Sequence, residues 1–180
     1  SVKAQSGTIA VSHILSANGA NTMTLTGTGT PFTVTGTFTP STGTVTYEGT
    51  SATNVAGTTY YNLNVGGSGT TATYTAAGNA TVSNVLTVVS SSGTNTFDAS
   101  ARTFTLTGSG TPFVISATEV FTPSTSTFIY RGSSATTITA TTYYNLQASS
   151  TGVTFTLGGN TTSTNDLTVT AGTIAGREII

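Results

Sequence analysis

The chain has no cysteine and no tryptophan, and only 5% of its 180 residues are charged, with a formal net charge of −1. The absence of cysteine excludes disulfide bonds, thiol catalysis and cysteine-ligated zinc. The basic residues Lys3, Arg102, Arg131 and Arg177 are scattered singly, so the sequence offers no basic patch for nucleic acid. No apolar run approaches the roughly 18 residues of a membrane span. We therefore expect neither a nucleic-acid partner nor membrane insertion.

Candidate catalytic and metal-binding groups are few. The single histidine, His13, lies between Ser12 and Ile14 in a strand-like stretch, where a lone histidine is more often structural than catalytic. The acidic residues lie far apart in the sequence: Glu48, Asp98, Glu119, Asp166 and Glu178. Cleavage of a polysaccharide needs paired carboxylates roughly 5 to 10 Å apart, and Gly66–Gly69 lacks the aspartate that follows in calcium-binding solenoid repeats. We expect no catalytic residue, no metal and no cofactor.

A long stretch of the chain occurs twice. TLTGTGTPF at Thr24–Phe32 returns as TLTGSGTPF at Thr105–Phe113, 81 residues later. FTPST at Phe38–Thr42 returns at Phe121–Thr125, 83 residues later. Self-similarity at a fixed period is typical of stacked architectures. Such architectures favour a function that depends on length and surface over one that depends on a single pocket.

The repeat also sets the expected domain organisation. SGTIA at 6–10 matches AGTIA at 171–175, about two periods later, so the chain begins and ends at the same point of the pattern. We predict a single β-solenoid over 1–180, made of two repeats of about 83 residues, about 2–84 and 85–166. An in-phase partial repeat would follow at 167–180.

Apolar residues alternate with threonine almost everywhere, and threonine makes up about a quarter of the chain. Thr103–Thr107 and Val153–Leu157 are examples, and alternation of this kind is typical of half-buried strands. Glycine, serine and asparagine clusters separate the strands. No window shows a helical stripe, so we predict an all-β chain.

Two architectures fit these strands: tandem β-sandwiches, or one β-solenoid of stacked coils. Apolar pairs recur at steps of 18, 24, 16 and 23 residues, which indicates coils of about 20 residues: Leu86/Val88, Phe104/Leu106, Phe128/Tyr130, Tyr144/Leu146 and Leu167/Val169. This sub-period favours a parallel β-helix of eight or nine coils over the sandwiches. The general rule for parallel crossovers predicts that it is right-handed.

Runs such as TTYYNL, GNATVSNVLTVVSSSGT, TFTLTGSGTPF and FTPSTSTFIYRGS resemble the repeats of very large bacterial surface and secreted proteins. Those repeats are similar to the parallel β-helix stalks of filamentous-haemagglutinin-type adhesins. The resemblance covers essentially the whole chain. It implies an exported structural or adhesive fibre, located outside the cell or on its surface, with no active site.

Two kinds of surface site are candidates. In the repeated Tyr-Tyr-Asn-Leu motif, strict alternation puts Tyr61 and Tyr144 in the core and Tyr60 and Tyr143 on the surface. The outer pair then forms an aromatic site at which surface glycans could stack. Outward threonine in every second position forms a neutral hydroxyl-rich face, which suits a passive fibre, a carbohydrate-binding module or an ice-binding module.

We expect the chain to be a structural component of an extracellular filament or adhesin stalk, with carbohydrate or ice binding as the alternative. Its partner would be itself, head to tail, either as a homopolymer or as continuing repeats. Open solenoid ends present unpaired strand edges that natural proteins normally cover. The expected end-to-end interface comprises Val2, Ala4, Ile9, Ile14, Leu15, Leu167, Val169, Ile174, Ile179 and Ile180.

Overall fold

The chain forms a parallel β-solenoid of about seven turns, each of roughly 22 residues, in a computed structural model. The structure describes residues 2–4, 9–11, 14–16, 19–67, 69 and 71–176, the first three stretches as backbone only. None of these residues forms a helix that could span a membrane. The strands are β1 Val2–Ala4, β2 Ile9–Val11, β3 Ile14–Ser16, β4 Thr22–Leu25, β5 Phe32–Val34, β6 Thr37–Thr39, β7 Thr44–Tyr47, β8 Thr53–Val55, β9 Thr59–Gly66, β10 Thr73–Ala76, β11 Ala80–Val89, β12 Thr96–Asp98, β13 Thr103–Leu106, β14 Phe113–Ile115, β15 Val120–Thr122, β16 Thr127–Tyr130, β17 Thr136–Ile138, β18 Thr142–Leu157 and β19 Thr162–Ala175.

Every strand pairing among the described residues is parallel, and the pairings build three faces. Face 1 stacks β4, β7, the second half of β9, the second half of β11, and β14. Face 2 stacks β8, β10, β12 and β15. Face 3 stacks the first halves of β9 and β11, then β13, β16, the middle of β18 and β19. The chain visits faces 1, 2 and 3 in that order in each turn: β5 and β6 occupy faces 2 and 3 between β4 and β7, and β17 follows β16 on face 1. The expectation of one solenoid over tandem sandwiches is confirmed.

The alternation of apolar residues and threonine explains these strands. In β13, Phe104 and Leu106 point into the core while Thr103 and Thr105 lie on the outside. Successive coils place like side chains above one another, so Phe104 stacks on Phe128 with their ring centroids 5.0 Å apart. Phenylalanine and β-branched residues suit a pleated surface that is covered on one side only. The core is therefore a continuous apolar column along the axis.

The longest strands turn a corner without a loop, as β9 and β11 show. β9 and β11 each contribute to face 3 and then to face 1, and their pairing shifts by one residue between Val82 and Val85. The shift corresponds to a β-bulge, which bends a strand and changes which side chains point inward. Strict alternation consequently fails at these corners.

The corners also revise the expected stacking of apolar pairs. Phe104/Leu106 does lie under Phe128/Tyr130, as the 24-residue step predicts. The prediction that Leu86/Val88 lies next to Phe104/Leu106 is wrong, because Leu86 and Val88 are on face 1 and pair with β14. On face 3, it is Ala80 and Val82 that pair with β13. The number of residues between stacked partners varies because the loops between strands differ in length.

Candidate functional site

Tyr60 and Tyr143 lie in the core, so the expectation that they form a surface aromatic pair is wrong. Both are fully buried, whereas Tyr61 and Tyr144 are partly exposed. The cause is the corner within β9 and the matching bend in β18: the residues that follow each buried tyrosine span the bend. Tyr60 and Leu63, three residues apart, consequently both point inward.

The buried tyrosines close a ring of hydrogen bonds at the next corner. The backbone N–H of Ala56 donates to the Tyr47 hydroxyl (3.0 Å), and the Tyr60 hydroxyl donates to the Ala56 carbonyl (2.7 Å). The two hydroxyl oxygens lie 2.9 Å apart. Because Tyr60 already donates to Ala56, Tyr47 is the donor between them. Both polar groups of a buried corner residue are thereby satisfied, which is essential inside an apolar core.

The same ring occurs in the second repeat. Thr139 takes the place of Ala56, with its N–H 3.3 Å from the Tyr130 hydroxyl and its carbonyl 2.9 Å from that of Tyr143. The hydroxyls of Tyr130 and Tyr143 lie 2.7 Å apart. In both repeats the two tyrosines are separated by 13 residues, and this recurring spacing is the sequence signal that could have identified the pairs.

Burial shifts the titration of all four ring tyrosines. Desolvation raises the pKa of Tyr47 and of Tyr130 to about 12, although hydrogen bonds from their neighbours partly offset it. The pKa values of Tyr60 and Tyr143 are raised well above the ordinary value of 10.0, first by desolvation and then by the neighbouring tyrosine. The four hydroxyls therefore stay protonated in the folded chain, where they act as hydrogen-bonding groups.

Outward-facing side chains form ladders that run from coil to coil, but the threonine ladders are short. On face 3, Thr59 pairs with Thr81 and Thr81 with Thr105. The next two positions of that ladder are Ile129 and Gln147. An ice-binding face needs the same threonine rank in successive coils, and this ladder does not provide it.

A shallow groove of about 420 Å³ lies beside that ladder. Its walls are neutral and mostly hydroxyl-bearing: Thr58, Thr59, Asn79, Ala80, Thr81, Thr103 and Thr105. The side-chain oxygen of Asn79 accepts a hydrogen bond from the Thr103 N–H (2.9 Å), which ties one coil to the next. With no aromatic side chain in its walls, the groove lacks the stacking platform that sequence reasoning assigned to the tyrosines.

Two carboxylates have structural partners. Glu119 accepts a hydrogen bond from the backbone N–H of Asn95 (2.7 Å). Asp98 accepts from the Ser100 N–H (2.8 Å) and from the Ser124 hydroxyl in the next coil (2.7 Å). Within the part of the chain that the structure describes, no group of three His, Asp or Glu residues could hold a metal ion.

The edge of β19 opposite β18 leaves residues of the core column exposed. Leu167 and Val169 are 43% and 47% exposed. They match Leu86 and Val88, one repeat earlier in the chain, which are fully buried because β14 covers β11 there. Among the described strands, β19 pairs only with β18. Equivalent residues are thus core in β11, where a further coil covers them, and surface in β19.

The other expected interface residues divide into two groups. Ile174 is partly buried against the core. Ile179 and Ile180, like His13, lie outside the described residues. For the amino-terminal members only the backbone is described, and it lies in strands β1, β2 and β3: Val2, Ala4, Ile9, Ile14 and Leu15.

Comparison with known proteins finds no protein family, no curated protein and no solved structure that matches the chain. The geometry of the described residues carries the function. Among the described residues, that geometry combines a buried apolar column, neutral ladders on the outside, and the edge of β19, which leaves Leu167 and Val169 exposed.

Proposed function

We propose that the chain is a structural segment of an extracellular fibre, similar to the stalk of a filamentous-haemagglutinin-type adhesin, and that further coils of the same repeat stack on β19. The observation that carries the proposal is the contrast between matched residues. Leu86 and Val88 are fully buried beneath β14, while Leu167 and Val169 at the equivalent positions are 43% and 47% exposed. A further coil would bury them in the same way.

The coil that fits β19 can be specified from the strands that cover β11, its counterpart one repeat earlier. There β11 is covered by β13 and β14, whose inward residues are Phe104, Leu106 and Phe113. A coil of that phase would place an aromatic side chain over Leu167 and continue the parallel sheet through main-chain hydrogen bonds. Because strand addition reuses backbone groups, it needs no dedicated binding pocket.

Composition supports such stacking. Long unpaired strand edges are normally protected by charge or proline, yet β19 spans Thr162–Ala175 without proline and with Asp166 as its one charged residue. With 5% charged residues in the chain, stacked coils repel one another little. The neutral, hydroxyl-rich exterior keeps a fibre hydrated, and we assign adhesion to that exterior.

The proposal is tested by the assembly of the purified chain. Sedimentation velocity across a concentration series and electron microscopy would follow it. We expect end-to-end oligomers for the natural sequence and at least a tenfold loss of assembly for Leu167→Lys/Val169→Lys, because two charges would be buried at the junction.

The matched control is Thr168→Lys/Thr173→Lys, which adds the same charge to the same strand. Both threonines are exposed, and each lies next to an apolar residue of the column, Leu167 or Ile174, so their side chains point away from the core. Assembly of the control should resemble that of the natural sequence. A chain that stays monomeric at all concentrations, or equal losses in both variants, would contradict the proposed stacking.

A further inference from the structure

Equivalent strands of the two sequence repeats lie on different faces of the solenoid. β4 contains Thr-Met-Thr-Leu and its counterpart β13 contains Thr-Phe-Thr-Leu. β4 belongs to the stack of face 1, where it pairs with β7. β13 belongs to face 3, where it pairs with β11 through Ala80–Val82. The second repeat is therefore not stacked directly above the first.

The repeat nevertheless keeps its internal geometry when it changes face. The ring centroids of Phe32 and Phe38 are 5.3 Å apart at an interplanar angle of 81°. Their counterparts Phe113 and Phe121 are 5.1 Å apart at 76°. The hydrogen-bonded tyrosine ring also recurs, as described above. Each repeat is thus a local unit that is copied with a rotation about the solenoid axis.

Counting strands gives the size of that rotation. From β4 to its counterpart β13 the chain makes eleven strand passes, because β9 and β11 each serve two faces. Each turn uses three passes, one for each face. Eleven is one less than a multiple of three, so one repeat ends a third of a turn short of its starting face. Three repeats make eleven whole turns and restore the original face.

We propose that a fibre of this repeat displays every surface feature of the repeat on its three faces in succession, rotated by about 120° from one repeat to the next. This inference rests on the proposed fibre for its biological setting but not for its geometry. With about 4.8 Å for each turn, a feature returns to the same face only after about 53 Å.

The rotation determines which partners the surface suits. A receptor that binds a motif of one repeat would be engaged around the whole circumference of the fibre. A flat lattice such as ice must meet identical ranks on one face, and this arrangement denies it that match. The display therefore suits multivalent attachment from any direction.

Distance measurement between spin labels in the monomeric chain tests the rotation. Thr42 and Thr125 are exposed, equivalent turn residues 83 positions apart. Thr42 lies at the corner between faces 3 and 1, and Thr125 at the corner between faces 2 and 3. The control pair is Thr42 and the exposed Ser133, which share one corner and are four turns apart.

Thr42 and Thr125 are closer in sequence than the control pair, but the rotation places them farther apart in space. The control pair is separated by four turns along one edge, about 19 Å. The equivalent pair is separated by about 18 Å along the axis and by about one face width, roughly 17 Å for a short strand, so about 25 Å in total. We expect the Thr42–Thr125 distance to be longer by about 6 Å. A Thr42–Thr125 distance no longer than the control would overturn the rotation, whether or not the chain assembles into fibres.

Discussion

The hydroxyl oxygens of Tyr47 and Tyr60 lie 2.9 Å apart in the core, and together they satisfy both backbone polar groups of Ala56. The corner between β8 and β9 would otherwise leave these groups buried without partners. The same solution recurs at Thr139 in the second repeat. A solenoid with few charged residues thus uses tyrosine hydroxyls to complete its corners.

Removing one hydroxyl from the ring should therefore be costly. Tyr60→Phe keeps the packing of the aromatic ring but removes the hydrogen bond to the Ala56 carbonyl. Leaving a buried polar group without a partner costs about 1 to 3 kcal/mol, and we expect a loss of that size in the free energy of unfolding measured with urea. The control is Tyr61→Phe at the partly exposed neighbour, which should change stability by less than about 0.5 kcal/mol. Equal effects at the two positions would be inconsistent with the ring.

Alkaline pH should destabilise the fold through the same residues. The pKa of Tyr47 and of Tyr130 is raised to about 12 in the folded chain, against about 10 in an unfolded chain. Below pH 10 the tyrosines are neutral in both states and stability is complete. Between pH 10 and 12 only the unfolded state loses these protons, so stability falls by about 1.4 kcal/mol for each pH unit and each ring tyrosine.

Urea unfolding at a series of pH values, followed by circular dichroism, would measure this loss. A variant with Phe at both Tyr47 and Tyr60 is less stable at neutral pH but should have about half the slope above pH 10. A free energy of unfolding that stays constant from pH 9 to 12 would contradict the assignment of buried neutral tyrosines.

The interior ladder gives a third prediction. Leu106 and Leu146 are almost fully buried, and replacing either with Ala should cost about 2 to 5 kcal/mol because a cavity is left in a packed column. Thr105→Ala in β13 and Thr87→Ala in β11 alter outward positions, so they should change the free energy of unfolding little. Thermal unfolding of the four variants would rank them, and the reverse order would mean that the two faces of these strands are exchanged.

The sequence was sufficient to predict the fold class and not the faces. Alternation and the long repeat predict parallel stacked coils, since both follow from local spacing. Which of Tyr60 and Tyr61 is buried depends on the bend in β9, and a bend between two strand residues leaves no glycine or proline as a sign. The sequence does not predict the stacking partner of Leu86 for the same reason: β11 changes face halfway along its length.

The exposed edge of β19 could be predicted only in part. Because Leu167 and Val169 continue the apolar pattern, the sequence predicts that they contribute to an interface. Their difference in exposure from Leu86 and Val88 depends on the stacking of strands. β14 covers Leu86 and Val88, and no described strand covers Leu167 and Val169.

Hydrogen exchange of the backbone amides of β19 is the most direct test of the claim that further coils stack there. Alternate N–H groups of Thr162–Ala175 point away from β18 and have no described strand as partner. We predict that these amides exchange rapidly in dilute samples and become protected as concentration rises, while the amides of β11 stay protected throughout. Rapid exchange of the β19 amides in samples that sedimentation shows to be assembled would contradict the account, because assembly would then use another surface.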